Sequence, residues 1–247
     1  MNRIRRLWSD GQQVVNGWLA IPSGFAAELM SHAGYDSLTI DLQHGVQDYT
    51  SMIACLQAIG PMPALVRVPW NEPALVGKAL DAGAVGVICP MVNTAEQAAA
   101  FVGHLRYPPL GQRSNGPIRA ALRTPGYQAG ANADVLAIPM IETAEAVANL
   151  DAILAVPGVD AIYLGPSDLS ISMGGPAALD HEDAAMLALY DRIITAAQRA
   201  GVKTGVHCIA PAYAARMRAR GFDLVTVDSD AGLLLKAARA ALEVARE

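Results

Sequence analysis

The feature that most constrains the fold is the alternation of eight short apolar runs with segments of helical patterning. The apolar runs have the Val, Ile and Leu content of buried strands, and they cover residues 14–20, 37–42, 64–68, 86–91, 135–142, 161–164, 204–209 and 224–228. The Ala- and Leu-rich segments between and after them cover 24–33, 50–59, 73–81, 94–103, 143–155, 182–200, 211–219 and 231–245. Strands that alternate with helices predict a parallel α/β fold. A length of 247 residues suits one (β/α)8 barrel better than two small domains. We therefore predict that residues 1–247 form a single TIM barrel domain.

One segment interrupts the alternation. Residues 105–133 are rich in Pro, Gly, Arg and Asn, and they include the run Arg106-Tyr-Pro-Pro-Leu-Gly-Gln-Arg113-Ser-Asn-Gly116. A long loop inside a compact domain is usually functional or packed on another subunit. We expect 105–133 to be a loop near the active site or at a subunit interface.

The overall composition narrows the class of protein and of partner. The chain is 53% apolar and 17% charged, which argues against a disordered chain and suggests extensive burial, including subunit interfaces. We therefore expect a homo-oligomer. The net charge is −5, and the arginines cluster only briefly, at 3–6 and 216–220, so nucleic acid is not an expected partner.

The cysteines and the apolar runs bear on the cellular compartment. Cys55, Cys89 and Cys208 lie far apart and have no metal-type partner at close spacing, which fits a reducing cytoplasm. The basic N-terminus is not followed by the apolar region of a signal peptide. No run approaches the ~18 apolar residues of a membrane span. We expect a cytoplasmic protein that does not interact with membranes.

Two carboxylates follow neighbouring strands of the predicted barrel. The stretch 134–170 contains a strand that ends at Glu142, a helical segment, and a second strand followed by a Gly-Pro turn and Asp168. Parallel strands carry their chemistry at the C-terminal edge, where both acids should emerge. Two such carboxylates suit a hard divalent cation with open positions for water or substrate. The alternative is that Asp168 caps a short helix beginning at Leu169 and that Glu142 favours a helix dipole.

A histidine follows the second predicted strand, in the run Ile40-Asp41-Leu-Gln-His44-Gly45. Asp41 precedes His44 by three residues, close enough across a turn to hold an imidazole nitrogen and set its tautomer. A general base near neutral pH requires such an arrangement. A lone histidine is more often a surface or satisfied polar residue, but the neighbouring acid and the place after a strand favour catalysis.

Arg67 lies near the end of the apolar third strand, Ala64-Leu-Val-Arg67-Val. A buried arginine without a partner is costly, so it must meet an anion. That anion is either an acidic side chain, in a structural ion pair, or an oxygen of the substrate. Its convergence with Glu142, Asp168 and His44 favours the substrate.

Taken together, the ordered motifs resemble the HpcH/HpaI aldolases, the metal-dependent class II pyruvate aldolases of the phosphoenolpyruvate/pyruvate barrel superfamily. The similarity extends over nearly the whole chain. The matching runs are Gly17-Trp18-Leu19, Asp41-Leu-Gln-His44-Gly45, Val66-Arg67-Val-Pro69, Val87-Ile-Cys-Pro90-Met91-Val-Asn93-Thr94-Ala95-Glu96, Arg106-Tyr-Pro-Pro109, Ile141-Glu142-Thr143 and Gly165-Pro-Ser-Asp168-Leu-Ser170.

This resemblance implies a role for each site residue. Glu142 and Asp168 would be ligands of Mg, Mn, Co or a similar divalent metal. Asp41 and His44 would form the acid/base pair, Arg67 would clamp the pyruvate enolate, and Trp18 would be a wall of the pocket. Apart from the resemblance, we expect Ser167 to contact substrate and His207 to bound the aldehyde half of the site. Asp81 would be an acid that approaches the active site across a subunit contact, in an assembly that is commonly hexameric.

The sequence departs from the family pattern at three places. Met140 stands where some members have Gln, His207 stands where the best-known aldolases have an apolar residue, and Arg113-Ser-Asn-Gly116 replaces an Arg-Gly-Val-Gly-like run. These differences bear on the specificity for the aldehyde and not on the part of the site that would bind pyruvate.

The resulting hypothesis is reversible retro-aldol cleavage of a 4-hydroxy-2-oxo acid into pyruvate and an aldehyde, through a metal-stabilised enolate. The nearest alternative is oxaloacetate decarboxylation, which needs the same enolate. A Schiff-base aldolase is disfavoured because Lys78 and Lys236 are predicted on helices and Lys203 at the wrong end of a strand. A citrate-lyase-like enzyme of CoA esters is disfavoured because no basic loop suits CoA phosphates. A non-enzymatic assembly or binding protein is the remaining class.

Overall fold

The fold is a closed barrel of eight parallel strands, paired in chain order with the last strand against the first. The computed structural model describes residues 2–247. The predicted (β/α)8 barrel is confirmed, and every strand lies within two residues of its predicted bounds. The strands are β1 (Val14–Leu19), β2 (Ser37–Asp41), β3 (Ala64–Arg67), β4 (Gly86–Cys89), β5 (Leu136–Ile141), β6 (Ala161–Leu164), β7 (Lys203–Cys208) and β8 (Leu224–Val227).

Helices surround this barrel. They are α1 (Arg3–Ser9), α2 (Gly24–Ser31), α3 (Tyr49–Ala58), α4 (Pro73–Asp81), α5 (Ala95–Leu105), α6 (Ile118–Arg123), α7 (Tyr127–Asp134), α8 (Ala144–Ala148), α9 (Leu150–Leu154), α10 (Pro166–Ser172), α11 (Ala184–Ala200), α12 (Pro211–Arg220) and α13 (Asp230–Ala245). The segment predicted as one helix over 143–155 is broken at Asn149, which serves both as the C-cap of α8 and as the N-cap of α9. None of the helices within residues 2–247 combines the length and apolar character that a membrane crossing requires.

The short helix α1 was not predicted and closes the N-terminal end of the barrel. Ile4 and Trp8 are buried against interior residues that include Val14 and Leu224. The indole of Trp8 also donates a hydrogen bond to the carbonyl of Asp223, at 3.2 Å. Seven residues span two turns, which is too short for apolar periodicity to indicate a helix.

Segment 105–133 was predicted as a loop, but α6 and most of α7 lie within it. Its place near the active site or at a subunit interface stays a prediction. Its arginines bind carbonyls at the C-terminal ends of α3 and α4. Arg119 donates to the carbonyls of Leu56 (2.9 Å) and Ala82, and Arg123 also donates to Leu56 (3.1 Å). Cations at a helix C-terminus satisfy carbonyls that have no partner within the helix. The segment is therefore held on its own barrel by contacts that no local pattern encodes.

The register of the strands determines which side chains meet inside the barrel. Asp41, the last residue of β2, lies directly opposite Arg67, the last residue of β3. His207 of β7 lies opposite Thr226 of β8. Trp18 of β1 and Tyr163 of β6 point into the barrel interior, where they belong to one buried cluster and their rings stack. The C-terminal layer of the barrel thus collects polar side chains from several strands.

Candidate active site

Two carboxylates lie at the C-terminal edge of neighbouring strands, as predicted. Glu142 directly follows β5, and Asp168 lies in the first turn of α10, just after β6. Glu142 is only 2% exposed, whereas Asp168 is exposed. Burial raises the pKa of Glu142 to about 7, and the negative charge of Asp168 acts in the same direction. The two acids are therefore close enough to repel each other.

Neither acid is a helix cap, although Asp168 lies in the first turn of α10, where a negative charge favours the helix dipole. Thr143 caps α8 with its side-chain hydroxyl, which accepts a hydrogen bond from the amide of Ala146 at 3.0 Å. The N-cap of α10 is Gly165, so Asp168 lies inside that helix. Glu142 instead accepts a hydrogen bond from the backbone amide of Met91, 2.7 Å from Oε1. A buried acid held by one amide and repelled by another acid is well suited to bind a cation.

The surroundings of Glu142 also fit a divalent metal. A Cβ atom at Gly165 would lie 2.4 Å from Oε2 of Glu142, so only glycine leaves that oxygen room. Within residues 2–247, no group of three or more His, Cys, Asp or Glu side chains is arranged to hold a metal ion. Glu142 and Asp168 would then supply two hard oxygen donors and leave the other positions to water or substrate, as Mg²⁺ and Mn²⁺ sites commonly do.

Asp41 and Arg67 form a buried, bidentate ion pair. Arg67 donates from Nε to Oδ1 (2.8 Å) and from Nη2 to Oδ2 (2.6 Å) of Asp41. The indole of Trp18 donates to Oδ2 at 3.2 Å, and the guanidinium lies 4.8 Å from the indole centroid. Burial alone would raise the pKa of Asp41, but the hydrogen bonds and charge of Arg67 outweigh it and hold that pKa below its usual value. The acidic partner foreseen as one alternative for Arg67 is thus present.

The expected contact between Asp41 and the imidazole of His44 is absent. Asp41 Oδ1 instead accepts hydrogen bonds from the backbone amides of Gln43 (3.0 Å) and His44 (3.3 Å). The side chain of His44 is exposed, and its ring makes no hydrogen bond within the described residues. The chain turns tightly around the carboxylate of Asp41, and both of its oxygens already accept hydrogen bonds from the guanidinium of Arg67. A Cβ at Gly45 would lie 2.4 Å from the carbonyl oxygen of Asp41, so the tight turn requires glycine.

Three further predicted pocket residues lie at the same end of the barrel. Trp18 is buried, with its ring stacked on Tyr163 at a centroid distance of 5.9 Å. His207 meets Trp18 edge-on at 4.8 Å. Ser167 is half-buried in the first turn of α10. The strand ends thus bring all the predicted pocket residues to one mouth.

Within its own chain, Asp81 lies away from the mouth of the barrel. It is the last residue of α4, before β4 begins, and therefore lies towards the N-terminal end of the barrel. Its Oδ1 accepts a hydrogen bond from Nη2 of Arg113 at 2.8 Å. The Arg113 guanidinium lies over the rings of Tyr107 (4.6 Å) and Tyr127 (5.4 Å). A role for Asp81 at the site of another subunit stays a prediction.

Two site residues were missed by the sequence reasoning. Asp228, directly after β8, is buried and accepts hydrogen bonds from Nζ of Lys236 (2.6 Å) and the amide of Ser229 (2.7 Å). It ends a predicted strand in a carboxylate, the same signal that identified Glu142, and could have been found. Met91 contributes its backbone amide from a left-handed conformation, with φ of 55°. No side-chain pattern indicates a backbone donor.

The lysines lie close to where they were predicted, with one difference. Lys203 pairs with Asp223 at 2.9 Å, at the first residue of β7, and Lys78 lies over the ring of Tyr49 on α3. Lys236 starts from α13 as predicted, but its ammonium reaches Asp228 at the C-terminal end of β8. The only amine brought to the mouth within residues 2–247 is therefore engaged in an ion pair.

A family model, individual relatives and a solved structure all match this chain and indicate the same family. The family model described as HpcH/HpaI aldolase/citrate lyase matches residues 17–237. A hydroxypyruvate/pyruvate aldolase of Rhizorhabdus wittichii is 39% identical, covering 100% of this chain and 99% of that protein. A 4-hydroxy-2-oxovalerate aldolase of Rhodococcus jostii is 37% identical, covering 96% and 93%. A crystal structure of an HpcH/HpaI aldolase/citrate lyase family protein from Burkholderia cenocepacia superposes with a TM-score of 0.92 at 35% identity, covering 99% and 98%.

Proposed function

The chain belongs to the HpcH/HpaI aldolase/citrate lyase family and is a carbon–carbon lyase of the aldolase type, and on that premise we propose that it cleaves 4-hydroxy-2-oxo acids reversibly into pyruvate and an aldehyde, with a divalent metal. The observation that carries this proposal is the buried Glu142 beside Asp168, on the same barrel edge as Arg67. An acid with a raised pKa next to a like charge at a strand edge is typical of a functional site.

Glu142 and Asp168 would hold the metal, which is Mg, Mn or Co in this proposal. A bound divalent cation would supply Lewis-acid polarisation of the 2-oxo carbonyl. Arg67 would bind the anionic oxygens of the 2-oxo acid. Its Nε and Nη2 atoms are engaged by Asp41, whereas Nη1 makes no hydrogen bond within residues 2–247. A guanidinium oriented by a bidentate partner can donate this free N–H to an oxygen where negative charge develops.

His44 would act as the general base. In the cleavage direction its imidazole takes the proton of the C4 hydroxyl, the C3–C4 bond breaks with its electrons left on the pyruvate half, and the aldehyde leaves. Protonation at C3 then completes pyruvate. Asp41 supports this step indirectly, because its contacts with the amides of Gln43 and His44 shape the turn that presents the ring. The exposure of His44 leaves the ring free to meet substrate.

Replacing His44 with Ala should lower aldol cleavage by roughly 10²–10⁴-fold, because a positioned general base contributes that much. Metal binding, measured by titration calorimetry, should stay unchanged. Oxaloacetate decarboxylation involves no hydroxyl proton, so this activity should survive in the variant if the same site performs it. The matched control is His32→Ala, because His32 is an exposed histidine at the C-terminal end of α2. Equal cleavage rates in His44→Ala and wild type would remove His44 from the mechanism.

We also infer that the protein is a homo-oligomer, a hexamer by family resemblance. The support is the last helix: α13 buries only Asp230 and leaves Leu234, Leu235, Leu242 and Val244 at least 49% exposed. Leu235 and Leu242, seven residues apart, share one face of α13, and an exposed apolar patch there marks an interaction surface. A composition that is 53% apolar suggests burial beyond that of a single chain, and we infer that the partner is another copy of the chain.

The double variant Leu235→Glu/Leu242→Glu should dissociate the assembly. The two leucines lie seven residues apart on one face of α13, and charges there would be buried unpaired in an interface. Sedimentation velocity should show smaller species. Thr195→Glu/Gln198→Glu adds the same charge to exposed positions on α11 and should leave the mass unchanged. A wild type that sediments as a monomer at micromolar concentration would contradict the inference.

A further inference from the structure

His207 is a side chain in the barrel interior that the proposed cleavage does not use. Two residues earlier on β7, a Cβ at Gly205 would lie 2.7 Å from the ring of the interior residue Tyr163. Gly205 and His207 therefore share the face of β7 that points inward. The ring of His207 lies edge-on to Trp18, and it is only partly buried. Because the ring faces the interior, its exposed part opens to the mouth that contains Arg67 and Trp18.

A chain of hydrogen bonds holds one nitrogen of this ring. The hydroxyl of Tyr163 lies 3.3 Å from Nδ1 of His207 and 2.7 Å from Oγ1 of Thr226. Thr226 accepts a hydrogen bond from Nδ2 of Asn16 at 3.0 Å, and the side-chain oxygen of Asn16 accepts one from Ser37 at 2.8 Å. These residues are buried, apart from His207 itself. A satisfied buried network keeps its members in one geometry.

The second ring nitrogen is left for a ligand. Within residues 2–247, Nε2 of His207 has no hydrogen-bond partner, and it is not among the buried polar atoms that lack one. It is thus reachable from the mouth. Polar atoms fixed by a network and open to a pocket give binding sites their orientation and specificity.

The ring carries no charge at neutral pH. Burial lowers the pKa of His207 to about 4, and the nearby charge of Arg67 lowers it as well, against the opposing effects of Asp41, Asp228 and Asp180. A neutral imidazole has one donor and one acceptor nitrogen. Since the Tyr163 hydroxyl donates to Thr226, its oxygen accepts from Nδ1–H of His207, and Nε2 is the acceptor. Nε2 can therefore accept a hydrogen bond from a hydroxyl group, but it has no N–H to donate to a carboxylate.

We propose that His207, through Nε2, binds a hydroxyl group of the substrate and makes this aldolase prefer hydroxylated substrates over isosteric methyl analogues. The proposal rests on the proposed function and deepens it by naming the substrate class. The hydroxyl belongs either to C3 of the 2-oxo acid or to C2 of the aldehyde, and the chemistry is the same in both. A site built to hydrogen-bond a hydroxyl discriminates against the analogue without it, because a buried polar group is then left unpaired.

The test uses matched pairs in the synthetic direction. The first pair varies the 2-oxo acid, hydroxypyruvate against 2-oxobutanoate, with one common aldehyde. The second pair varies the aldehyde, glycolaldehyde against propanal, with pyruvate.

In the wild type, kcat/KM should favour the hydroxylated member of at least one pair by about tenfold, as a net hydrogen bond implies. His207→Leu should reduce that ratio to about one, whereas His207→Gln, which keeps a polar end, should retain part of it. The exposed-histidine variant His32→Leu should keep the wild-type ratio.

A second measurement does not depend on the variants folding. In wild-type protein labelled with ¹⁵N at histidine, the Nε2 resonance of His207 should shift with the hydroxylated member of the responsive pair and not with the methyl member.

Tyr163→Phe tests the positioning role of the tyrosine. The His207 tautomer ratio in the ¹⁵N spectrum should change, and the substrate preference should fall without complete loss.

Two results overturn the inference: equal Nε2 shifts with both members of each pair, or a preference ratio in His207→Leu equal to that of the wild type. Deuterium exchange at C3 of pyruvate, followed by proton NMR, tests the proposed function separately. Exchange that proceeds while both pairs show no preference contradicts only the role of His207. No exchange in metal-loaded wild type contradicts the aldolase reaction itself.

Discussion

Glu142→Gln should lower aldol cleavage by at least roughly 10³-fold, because metal catalysis contributes several kcal/mol of charge stabilisation to such a reaction. The amide keeps the shape of the side chain and can still accept the hydrogen bond from the amide of Met91. It removes the negative charge that a divalent cation requires. Chelation of the wild type with EDTA should produce a loss of the same size, and added Mg²⁺ or Mn²⁺ should restore the wild type but not the variant.

The matched control for this variant is Glu145→Gln, an exposed glutamate three residues along the chain in the first turn of α8. It should retain wild-type activity. Stability gives an independent check on the variant itself. Because burial raises the pKa of Glu142 to about 7, the metal-free wild type buries an unfavourable charge at pH 8. Metal-free Glu142→Gln should therefore unfold at the same or a higher denaturant concentration. Full activity after exhaustive chelation would refute the metal-dependent reaction.

Arg67→Leu should destabilise the protein by about 3–5 kcal/mol, because it leaves the carboxylate of Asp41 buried without its partner. The side chains of the pair are 12% and 4% exposed, so solvent screens them little. Urea denaturation at pH 7 measures the change. Arg192→Leu, at an exposed position of α11, is the control and should stay within about 0.5 kcal/mol of the wild type.

The double variant Asp41→Asn/Arg67→Leu separates structure from catalysis. It removes both charges, so most of the lost stability should return, whereas aldol cleavage should stay low because the free Nη1 of Arg67 is gone. Wild-type kcat/KM in the double variant would mean that Arg67 serves only as an ion pair.

The stability of this pair also has a definite pH dependence. The pKa of Asp41 lies below its usual value in the folded state. The contribution of the ion pair to the free energy of unfolding is therefore fully present at pH values above the unfolded pKa near 3.8. It is lost as the pH falls through the lower folded pKa. Wild-type stability should therefore decline over this acid range, and the decline should be smaller in the double variant.

Much of the site could be predicted because parallel strands end at one edge. Once the apolar runs are recognised, Glu142, Asp168, Arg67 and His44 must all emerge at the same end of a barrel. The contacts among them could not be predicted in the same way. Asp41 was expected to hold the ring of His44, its neighbour in sequence, and instead binds Arg67, its neighbour across the sheet. Asp228 shows the opposite case, since its signal was present in the sequence and was overlooked.

The sequence by itself determined the barrel, its eight strands and the identity of most residues at its mouth. The strands follow from hydrophobic periodicity, a local property of the chain, and Glu142, Asp168, His44 and Arg67 follow from their places at the strand ends. Trp18 came from the family resemblance. Only the tertiary structure decided that Arg119 and Arg123 hold segment 105–133 on the ends of two helices, and that the Tyr163 hydroxyl links His207 to Thr226. Such partners depend on strand register and barrel closure, which bring together side chains far apart in sequence. No one-dimensional pattern contains that information.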